Sequence, residues 1–175
     1  HGPIDLVVEA FGAPAERAAA YRQAVGRFQT ILGELVEELP ELRRPAAPRP
    51  RRFLGPTARR MEAAVVPLAA DFITPMAAVA GSVADEILHA MLAGRMLDRA
   101  YVNNGGDSAL HLGPGQSMTI AIAGTGPDTG NGLDDRIVIG DGDGIGGVAT
   151  SGWRGRSFSL GIADAVTVLA RTGAE

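Results

Sequence analysis

The order in which helical and strand-like patterns follow one another is the feature that most constrains the fold of this chain. A β-rich run over residues 4–8 opens the sequence, and apolar residues then recur at three- and four-residue intervals as far as Gly94. After Gly94 come short β-like runs that are separated by glycine, aspartate and asparagine. Because helices precede the later strands as one block, the order predicts an α+β fold with an antiparallel sheet. A length of 175 residues with 46% hydrophobic residues fits one domain with a real core.

The first helical pattern begins at Pro14 and ends at Pro40, because proline fits the first turn of a helix and interrupts its interior. Its apolar residues form a single predicted stripe, which consists of Val25, Phe28, Leu32, Leu35 and Leu39. A shorter helix is expected over about residues 57–68.

A second long helix is predicted after Thr74, which can cap its first turn, with Pro75 at the first helical position. Four apolar side chains step by four and are expected to face the sheet: Val79, Val83, Ile87 and Met91. A second face carries small residues and one carboxylate, namely Ala77, Ala78, Gly81, Ser82 and Asp85. Glycine inside a helix costs about 1 kcal/mol relative to alanine, so Gly81 should have a packing reason. Either another stretch of backbone or a flat ligand could approach this face closely.

The segment over residues 43–52, RRPAAPRPRR, contains five arginines and three prolines. This composition is typical of a solvated, extended connector, and we expect the segment to be flexible and dispensable for folding. A phosphate-binding arm is the alternative, although the prolines prevent a compact pocket from forming within the segment.

The composition excludes several kinds of site. All 16 basic residues are arginine, and the absence of lysine excludes a Schiff-base enzyme and a Walker-type phosphate loop. The absence of cysteine excludes disulfides, thiolate metal ligands and a cysteine nucleophile. A net charge of −4 argues against nucleic-acid binding, and no apolar run reaches the roughly 18 residues that cross a membrane. We expect one cytoplasmic domain over residues 1–175 that extends beyond both ends, since the sequence opens without methionine.

Residues 140–152 partly match a dinucleotide-binding fingerprint and an EF-hand calcium loop, but the neighbouring residues exclude both. Residues 140–147, GDGDGIGG, have the G-x-G-x-x-G spacing, but a strand-like run follows where a dinucleotide fingerprint requires a helix. An EF-hand loop is excluded because Ile145 and Gly152 stand where a third ligand and the bidentate glutamate belong. We therefore predict a glycine-rich hairpin here. His89 follows Asp85 by four residues, which predicts a local pair on one helix face and not a catalytic histidine.

Two turns are the best candidates for a binding site. The first, NNGGD at residues 103–107, has glycines that permit positive φ and expose backbone N–H groups, which can form an anion-binding nest. Asp107 could accept hydrogen bonds from ligand hydroxyls or hold a metal ion. Alternatively, it could only stabilise the turn as an Asx-turn, through a hydrogen bond to nearby backbone. The second, TSGWRGRSFS at residues 150–159, joins hydroxyls to Arg154 and Arg156, which could pair with a phosphate. Each turn alone is typical of a plain hairpin, whereas the two together predict a shared cleft.

Four stretches resemble the ApbE-like superfamily, whose founding members are FAD:protein FMN transferases. They are GPIDLVVEAFG, ITPMAAVAGSVADEIL, YVNNGGDSALHLG and GVATSGWRGRSFSLGIADAVTVLA. The chain looks more like the uncharacterised cytoplasmic branch of that superfamily than like the transferases. The resemblance implies a duplicated, tunnelling-fold-like α+β architecture in which antiparallel sheets pack against long helices.

The resemblance also implies where a cofactor binds. Both turns border the flavin site of the transferases, so the implied cofactor-binding residues are Asn104, Gly105, Gly106, Asp107, Thr150, Ser151, Gly152 and Arg154. FAD or FMN is the implied cofactor, a flavin or nucleotide is the implied small-molecule partner, and a homodimer is compatible with the resemblance. Ala80 replaces the transferase lysine, and the Mg²⁺ motif is missing, so Mg²⁺ would need ligands from residues beyond Glu175. We assign no metal ligands and no catalytic residue.

The preferred function from the sequence is binding of a flavin or nucleotide in a cleft between the two turns, without an established transferase activity. One alternative is a non-flavin enzyme that acts on a phosphorylated or carboxylated small molecule, and another is a non-catalytic binding or assembly protein. Fold class does not decide among them, because one scaffold can carry different sites.

Overall fold

The computed structural model describes residues 3–122, 135–152, 161–163 and 165–175. Over these ranges one strand is followed by helices and then by further strands, which confirms the α+β class. The α-helices are α1 (Pro14–Glu37), α2 (Leu39–Leu42), α3 (Pro56–Val65) and α4 (Val79–Leu92). The strands are β1 (Leu6–Phe11), β2 (Arg99–Asn104), β3 (Asp107–Leu112), β4 (Ser117–Ile122), β5 (Asp135–Gly140), β6 (Gly147–Ser151) and β7 (Val166–Ala170). Short 3₁₀ turns cover Val66–Leu68, Pro75–Ala78 and Asp141–Asp143. No helix within the described ranges has the length and apolar character needed to cross a bilayer.

The strands form two antiparallel sheets. The larger sheet has the order β1-β2-β3-β6-β7, and the smaller sheet pairs β4 with β5. Side chains alternate between the two faces of a strand, and the middle of the larger sheet has buried residues on both faces. Ala100, Val102 and Ala109 pack with the helices on one face. Leu110 and Val148 pack with Ile139 of the smaller sheet on the other.

The buried face of α1 differs from the predicted stripe. Val25 is 60% exposed, and Phe28 and Leu32 are only partly buried, whereas Leu35 is buried as predicted. The remaining buried positions are Ala20, Ala24 and Ile31. The prediction was wrong because it followed the largest side chains, while alanines allow α1 to lie close to α4. The start of α1 at Pro14 and its end before Pro40 are as predicted.

The start and the buried stripe of α4 are largely as predicted. Thr74 has the extended backbone of an N-cap residue but makes no side-chain capping bond, and Pro75 opens the 3₁₀ turn that leads into the helix. Three residues of the predicted stripe, Val83, Ile87 and Met91, have no exposed surface, and the fourth, Val79, is partly buried. The same core includes residues of β2 and β3, so the predicted burial is confirmed.

The small face of α4 contacts another stretch of backbone and not a ligand. A side chain at Gly81 would overlap the carbonyl oxygen of Gly173, which explains the glycine. The Asp85 carboxylate accepts hydrogen bonds from the N–H groups of Gly173, at 2.8 Å, and Ala174, at 2.9 Å. His89 is exposed and makes no ion pair with Asp85, so the predicted local pair is wrong. Backbone donors that come from the far end of the chain occupy that carboxylate instead.

The Arg/Pro-rich segment of residues 43–52 is held at its C-terminal end. Arg51 places its Nη2 2.7 Å from Oε2 of Glu62, a residue whose side chain is only 2% exposed. The neighbouring Phe53 is buried, and the N–H of Ala46 donates to the carbonyl of Ile73 at 2.7 Å. The contacts of Arg51 and Phe53 favour a docked C-terminal end, and the Ala46 bond holds a second point nearer the start of the segment. Flexibility of the exposed residues between these points stays a prediction.

The glycine-rich stretch GDGDGIGG connects the two sheets. It follows β5 and precedes β6, but β5 pairs with β4 while β6 pairs with β3 and β7. The predicted hairpin is therefore wrong, because strands adjacent in sequence belong here to different sheets. The exclusion of a dinucleotide fingerprint is confirmed, because a 3₁₀ turn and a strand follow β5.

Candidate functional site

The NNGGD turn is a tight hairpin between β2 and β3. Asn104 faces Asp107 in the strand register, and the two residues between them are glycines with φ of 65° and 114°. Both values lie in the left-handed half of conformational space, which non-glycine residues avoid. The structure therefore confirms the tight turn and the physical need for Gly105 and Gly106.

The polar side chains of this hairpin divide between the two faces of the sheet. Asn104 donates from Nδ2 to the carbonyl of Ala80 in α4 at 3.1 Å, on the helix face. Asn103 donates from Nδ2 to Oγ of Ser108 at 2.8 Å. Because neighbouring residues of a strand point to opposite faces, this second pair lies on the side of the smaller sheet. The side chains of Asn104 and Asn103 therefore lie on opposite faces of the larger sheet, the first toward α4 and the second toward the smaller sheet.

The structure brings the two predicted turns together along the β3–β6 pairing. An added Cβ at Gly106 would lie 3.9 Å from the carbonyl oxygen of Thr150. The Thr150 hydroxyl is already engaged with that of Thr167 in β7, at 3.0 Å, whereas Ser151 is exposed and Gly152 half-buried. Arg154, and with it Arg156, lies outside the described residues. Proximity of the turns agrees with a shared cleft, and cofactor binding by them stays a prediction.

Asp107 is a half-buried carboxylate that no donor within the described ranges contacts. Burial raises its pKa above the ordinary range of an aspartate. Burial also raises the pKa of Asp85, but two backbone N–H groups oppose that rise. No comparable donor reaches Asp107 among the described residues, so the Asx-type staple considered from the sequence is not formed there. Among the described residues, Asp107 therefore does not hold the turn by a side-chain hydrogen bond, and a role in ligand binding stays a prediction.

A cavity of about 500 Å³ lies between the larger sheet, on the face turned away from the helices, and strand β4 of the smaller sheet. This face is called the outer face below. Its floor comes from three rows of cross-strand neighbours. Phe11 pairs with Arg99 in the first row, and Tyr101 pairs with Leu110 in the second. The third row joins Val7, Asn103 and Ser108. Met118, Thr119 and Ile120 of β4 form the opposite wall. The size and the mixture of apolar walls with a few polar groups are typical of a small-molecule site.

Arg99 supplies the cavity with a positive charge. Its guanidinium carbon lies 4.4 Å from the centre of the Phe11 ring, and its Nη1 donates to the carbonyl of Ser117 at 2.9 Å. Its Nε is buried and has no hydrogen-bond partner among the described residues. A buried donor without an acceptor costs about 1–3 kcal/mol, so an acceptor that reaches this atom would be stabilised there.

Tyr101 belongs to the second row of the cavity floor, between the row that contains Arg99 and the row that contains Asn103. Burial, and then the neighbouring Glu9 carboxylate, raise the pKa of the Tyr101 phenol above its ordinary range. The second cause includes a hydrogen bond between the phenol and the Glu9 carboxylate, so the phenol hydrogen already has an acceptor on the chain.

Sequence reasoning did not identify Arg99 and Tyr101 as site residues, and it included Asn103 only as part of the NNGGD turn. The signal that could have found them is the alternation in RAYVNN, where these three residues alternate with Ala100 and Val102. A period of two with polar or amphipathic residues on one face predicts a strand whose second face is not an ordinary core. Within the described residues no group of three or more His, Asp or Glu side chains could hold a metal ion.

Comparison with known proteins corrects the resemblance stated above. A family model described as AbpE bacteria matches residues 1–175. No curated protein matched the chain. This family differs from the ApbE-like flavin transferases, so the assignment to the ApbE-like superfamily is wrong. It relied on four stretches of strand, helix and glycine-rich turn. Turns such as NNGGD occur wherever antiparallel strands need positive φ and therefore say little about family. Since the matching model spans all 175 residues, the chain belongs to the AbpE bacteria family.

Proposed function

We propose that this protein binds a small anionic molecule in the cavity between its two sheets. The observation that carries the proposal is Arg99, a half-buried cation with an unsatisfied buried Nε at a cavity of about 500 Å³. One alternative from the sequence, a non-flavin enzyme that acts on a phosphorylated or carboxylated small molecule, names the same class of ligand. Whether a reaction follows binding is a separate question, and we assign no catalytic residue.

Three features support a ligand here over a merely structural arginine. The stacking of Arg99 on Phe11 and its bond to Ser117 hold the guanidinium at the cavity. The Asn103–Ser108 pair provides polar groups at the other end of the same face. No carboxylate pairs with Arg99 within the described part of the chain. Six other arginines there do form ion pairs with carboxylates, namely Arg27, Arg44, Arg51, Arg60, Arg95 and Arg171.

The test is a thermal-shift screen of wild-type protein with phosphate, benzoate, citrate, AMP and FMN, followed by calorimetric titration of each anion that stabilises it. Arg99→Gln should abolish the stabilisation, while Arg44→Gln serves as the matched control. Arg44 is 65% exposed and pairs only with Glu41 three residues away, so its loss should leave binding unchanged. Absence of any shift across the whole screen would refute the proposal.

The second candidate is binding of a flavin or nucleotide phosphate at the two glycine-rich turns. It is favoured by the contact of Gly106 with Thr150 and by the carboxylate of Asp107, which no donor contacts among the described residues. Exposed glycine N–H groups can bind phosphate oxygens, and Asp107 can accept from ribose or ribityl hydroxyls. Titration of FAD, FMN and ATP, with and without Mg²⁺, into wild type and Asp107→Ala tests it. Loss of binding in Asp107→Ala with Arg99→Gln unaffected would assign the ligand to the turns.

We also propose, as finer points of architecture and assembly, a duplicated tunnelling-fold-like arrangement and a homodimer. The antiparallel pairing of both sheets supports the first. An experimental structure that includes residues 123–134 and 153–160 would test the duplication. Light scattering of the purified protein would test the dimer.

A further inference from the structure

We infer that the anion bound between the sheets is a carboxylate, held by the Nε–Nη2 edge of Arg99, on a molecule whose other end hydrogen-bonds to the Asn103–Ser108 pair. This inference rests on the proposed function of the cavity and names the chemical class of its ligand. Three observations lead to this inference. The Nε and Nη2 of Arg99 make no hydrogen bond among the described residues, Arg99 is the one cation among the described residues that line the cavity, and polar groups recur along β2.

The free edge of Arg99 has the geometry that binds a carboxylate. Its Nη1 is used by Ser117 and one of its faces by Phe11, which leaves Nε and Nη2. The same two atoms bind carboxylates elsewhere in this chain. Arg51 donates from Nε and Nη2 to the two oxygens of Glu62, at 3.1 and 2.7 Å. Arg171 does the same to Glu175, at 3.3 and 2.9 Å. The Nε of Arg99 is shielded from water, so the guanidinium must rotate slightly as the ligand arrives.

The charge around the cavity favours a monoanion over a phosphate dianion. Arg99 is the one cation among the described residues that line the cavity. Glu9 lies opposite Tyr101 in the strand register and adds a negative charge on the same face of the sheet. One guanidinium can neutralise one carboxylate, whereas a phosphate monoester carries nearly two negative charges and would leave one of them in a partly apolar space.

The second anchor requires a ligand that reaches along the strand. Arg99 and Asn103 are four residues apart on an extended strand, so their Cα atoms are separated by about 13 Å at roughly 3.3 Å per residue. Asn103 uses Nδ2 to reach Ser108, so its Oδ1 and the Ser108 hydroxyl hydrogen are left to pair with a ligand. Between the two ends, Leu110 and Met118 provide apolar walls and Tyr101 provides a phenol. These features fit a carboxylic acid with an apolar middle and a hydroxyl at its far end.

Four probes of nearly the same shape test the inference on the whole protein: 4-hydroxycinnamate, its neutral amide, cinnamate and 4-hydroxyphenyl phosphate. We expect 4-hydroxycinnamate to bind and the amide to bind at least about tenfold more weakly, since a charge-assisted pair is lost. Arg99→Lys should weaken 4-hydroxycinnamate by about tenfold or more, because lysine keeps the charge but not the two-donor edge. Asn103→Ala should weaken 4-hydroxycinnamate while leaving cinnamate, which lacks the hydroxyl, unchanged.

The outcomes separate this inference from the function on which it rests. If the phosphate ester binds as tightly as the carboxylate and Arg99→Lys retains binding, the anion site stands and the carboxylate assignment is overturned. If neither these probes nor any anion of the earlier screen binds, both fail. Should Arg99→Lys prove unfolded in a melting experiment, the comparison of carboxylate, amide and phosphate on wild type still decides.

Discussion

Gly81 in α4 and Gly173 near the end of the described chain lie in backbone contact, so that a β-carbon on Gly81 would overlap the Gly173 carbonyl oxygen. The neighbouring Asp85 accepts the N–H groups of Gly173 and Ala174, and together these contacts attach the segment that follows β7 to α4. This attachment joins residues that are 88 positions apart.

Gly81→Ala should destabilise the protein by about 1–3 kcal/mol, because the added methyl group overpacks a backbone contact that cannot be relieved by a side-chain rotation. The matched control is Gly33→Ala in α1, where nothing lies within 4 Å of an added Cβ. Alanine there should stabilise by about 0.5–1 kcal/mol through helix propensity. Chemical denaturation measures both. Equal gains in stability for the two variants would show that the segment containing Gly173 does not pack on α4.

Arg51→Met should destabilise the protein by about 3–5 kcal/mol, because it leaves the Glu62 carboxylate buried without its partner. Burial alone would raise the pKa of Glu62, but the hydrogen bonds from the side chain and backbone of Arg51 hold it below its ordinary value. The stability from this pair is therefore present above that ordinary value and is lost as the pH falls through the lowered one. Urea denaturation at several pH values measures the effect.

Two variants control the Arg51 experiment. Arg44→Met removes an exposed pair with Glu41 and should cost about 0–1 kcal/mol. The double variant Arg51→Met with Glu62→Leu should recover most of the lost stability, because no unpaired charge is then buried. A double variant as unstable as Arg51→Met alone would contradict the proposed cause.

Replacement of residues 45–50 with glycine and serine should shift the melting temperature by no more than roughly 3 °C, the effect of about 1 kcal/mol in a chain of this size. These residues are exposed or half-buried, and the replacement leaves Arg51 and its contacts in place. Differential scanning calorimetry measures the shift. A loss of ten degrees or more would mean that the whole segment of residues 43–52 is docked and that its predicted flexibility is wrong.

Asp107→Asn should stabilise the protein at neutral pH. Because burial raises the pKa of Asp107, the folded state binds the proton more tightly than the unfolded state does. Stability is therefore lost as the pH rises through the interval between the ordinary pKa and the raised one, and the asparagine variant avoids this loss. The gain should vanish in acid, where Asp107 is neutral in both states. Melting curves across the pH range measure it, with Asp71→Asn at an exposed position as control. A gain that persists in acid would exclude ionisation as the cause.

Local patterns in the sequence determined the kind and order of the elements. Prolines at positions 14 and 75 mark helical starts, the four-residue steps to Ile87 and Met91 mark a buried stripe, and glycines 105 and 106 mark a turn. These predictions succeeded because proline geometry, helix periodicity and positive φ depend on residues that are neighbours in the chain. The family resemblance failed because the same turns satisfy the same local rules in unrelated proteins.

Only the tertiary structure decided which side chains share a surface. The pairing of β6 with β3 brings Thr150 beside Gly106, and the placement of the β4–β5 sheet over the outer face of β2 turns Arg99, Tyr101 and Asn103 into the floor of a cavity. The buried positions of α1 likewise depend on how closely its alanines approach α4. Contacts of this kind join residues far apart in sequence, and their free energy depends on the simultaneous packing of several elements, which no short stretch of sequence encodes.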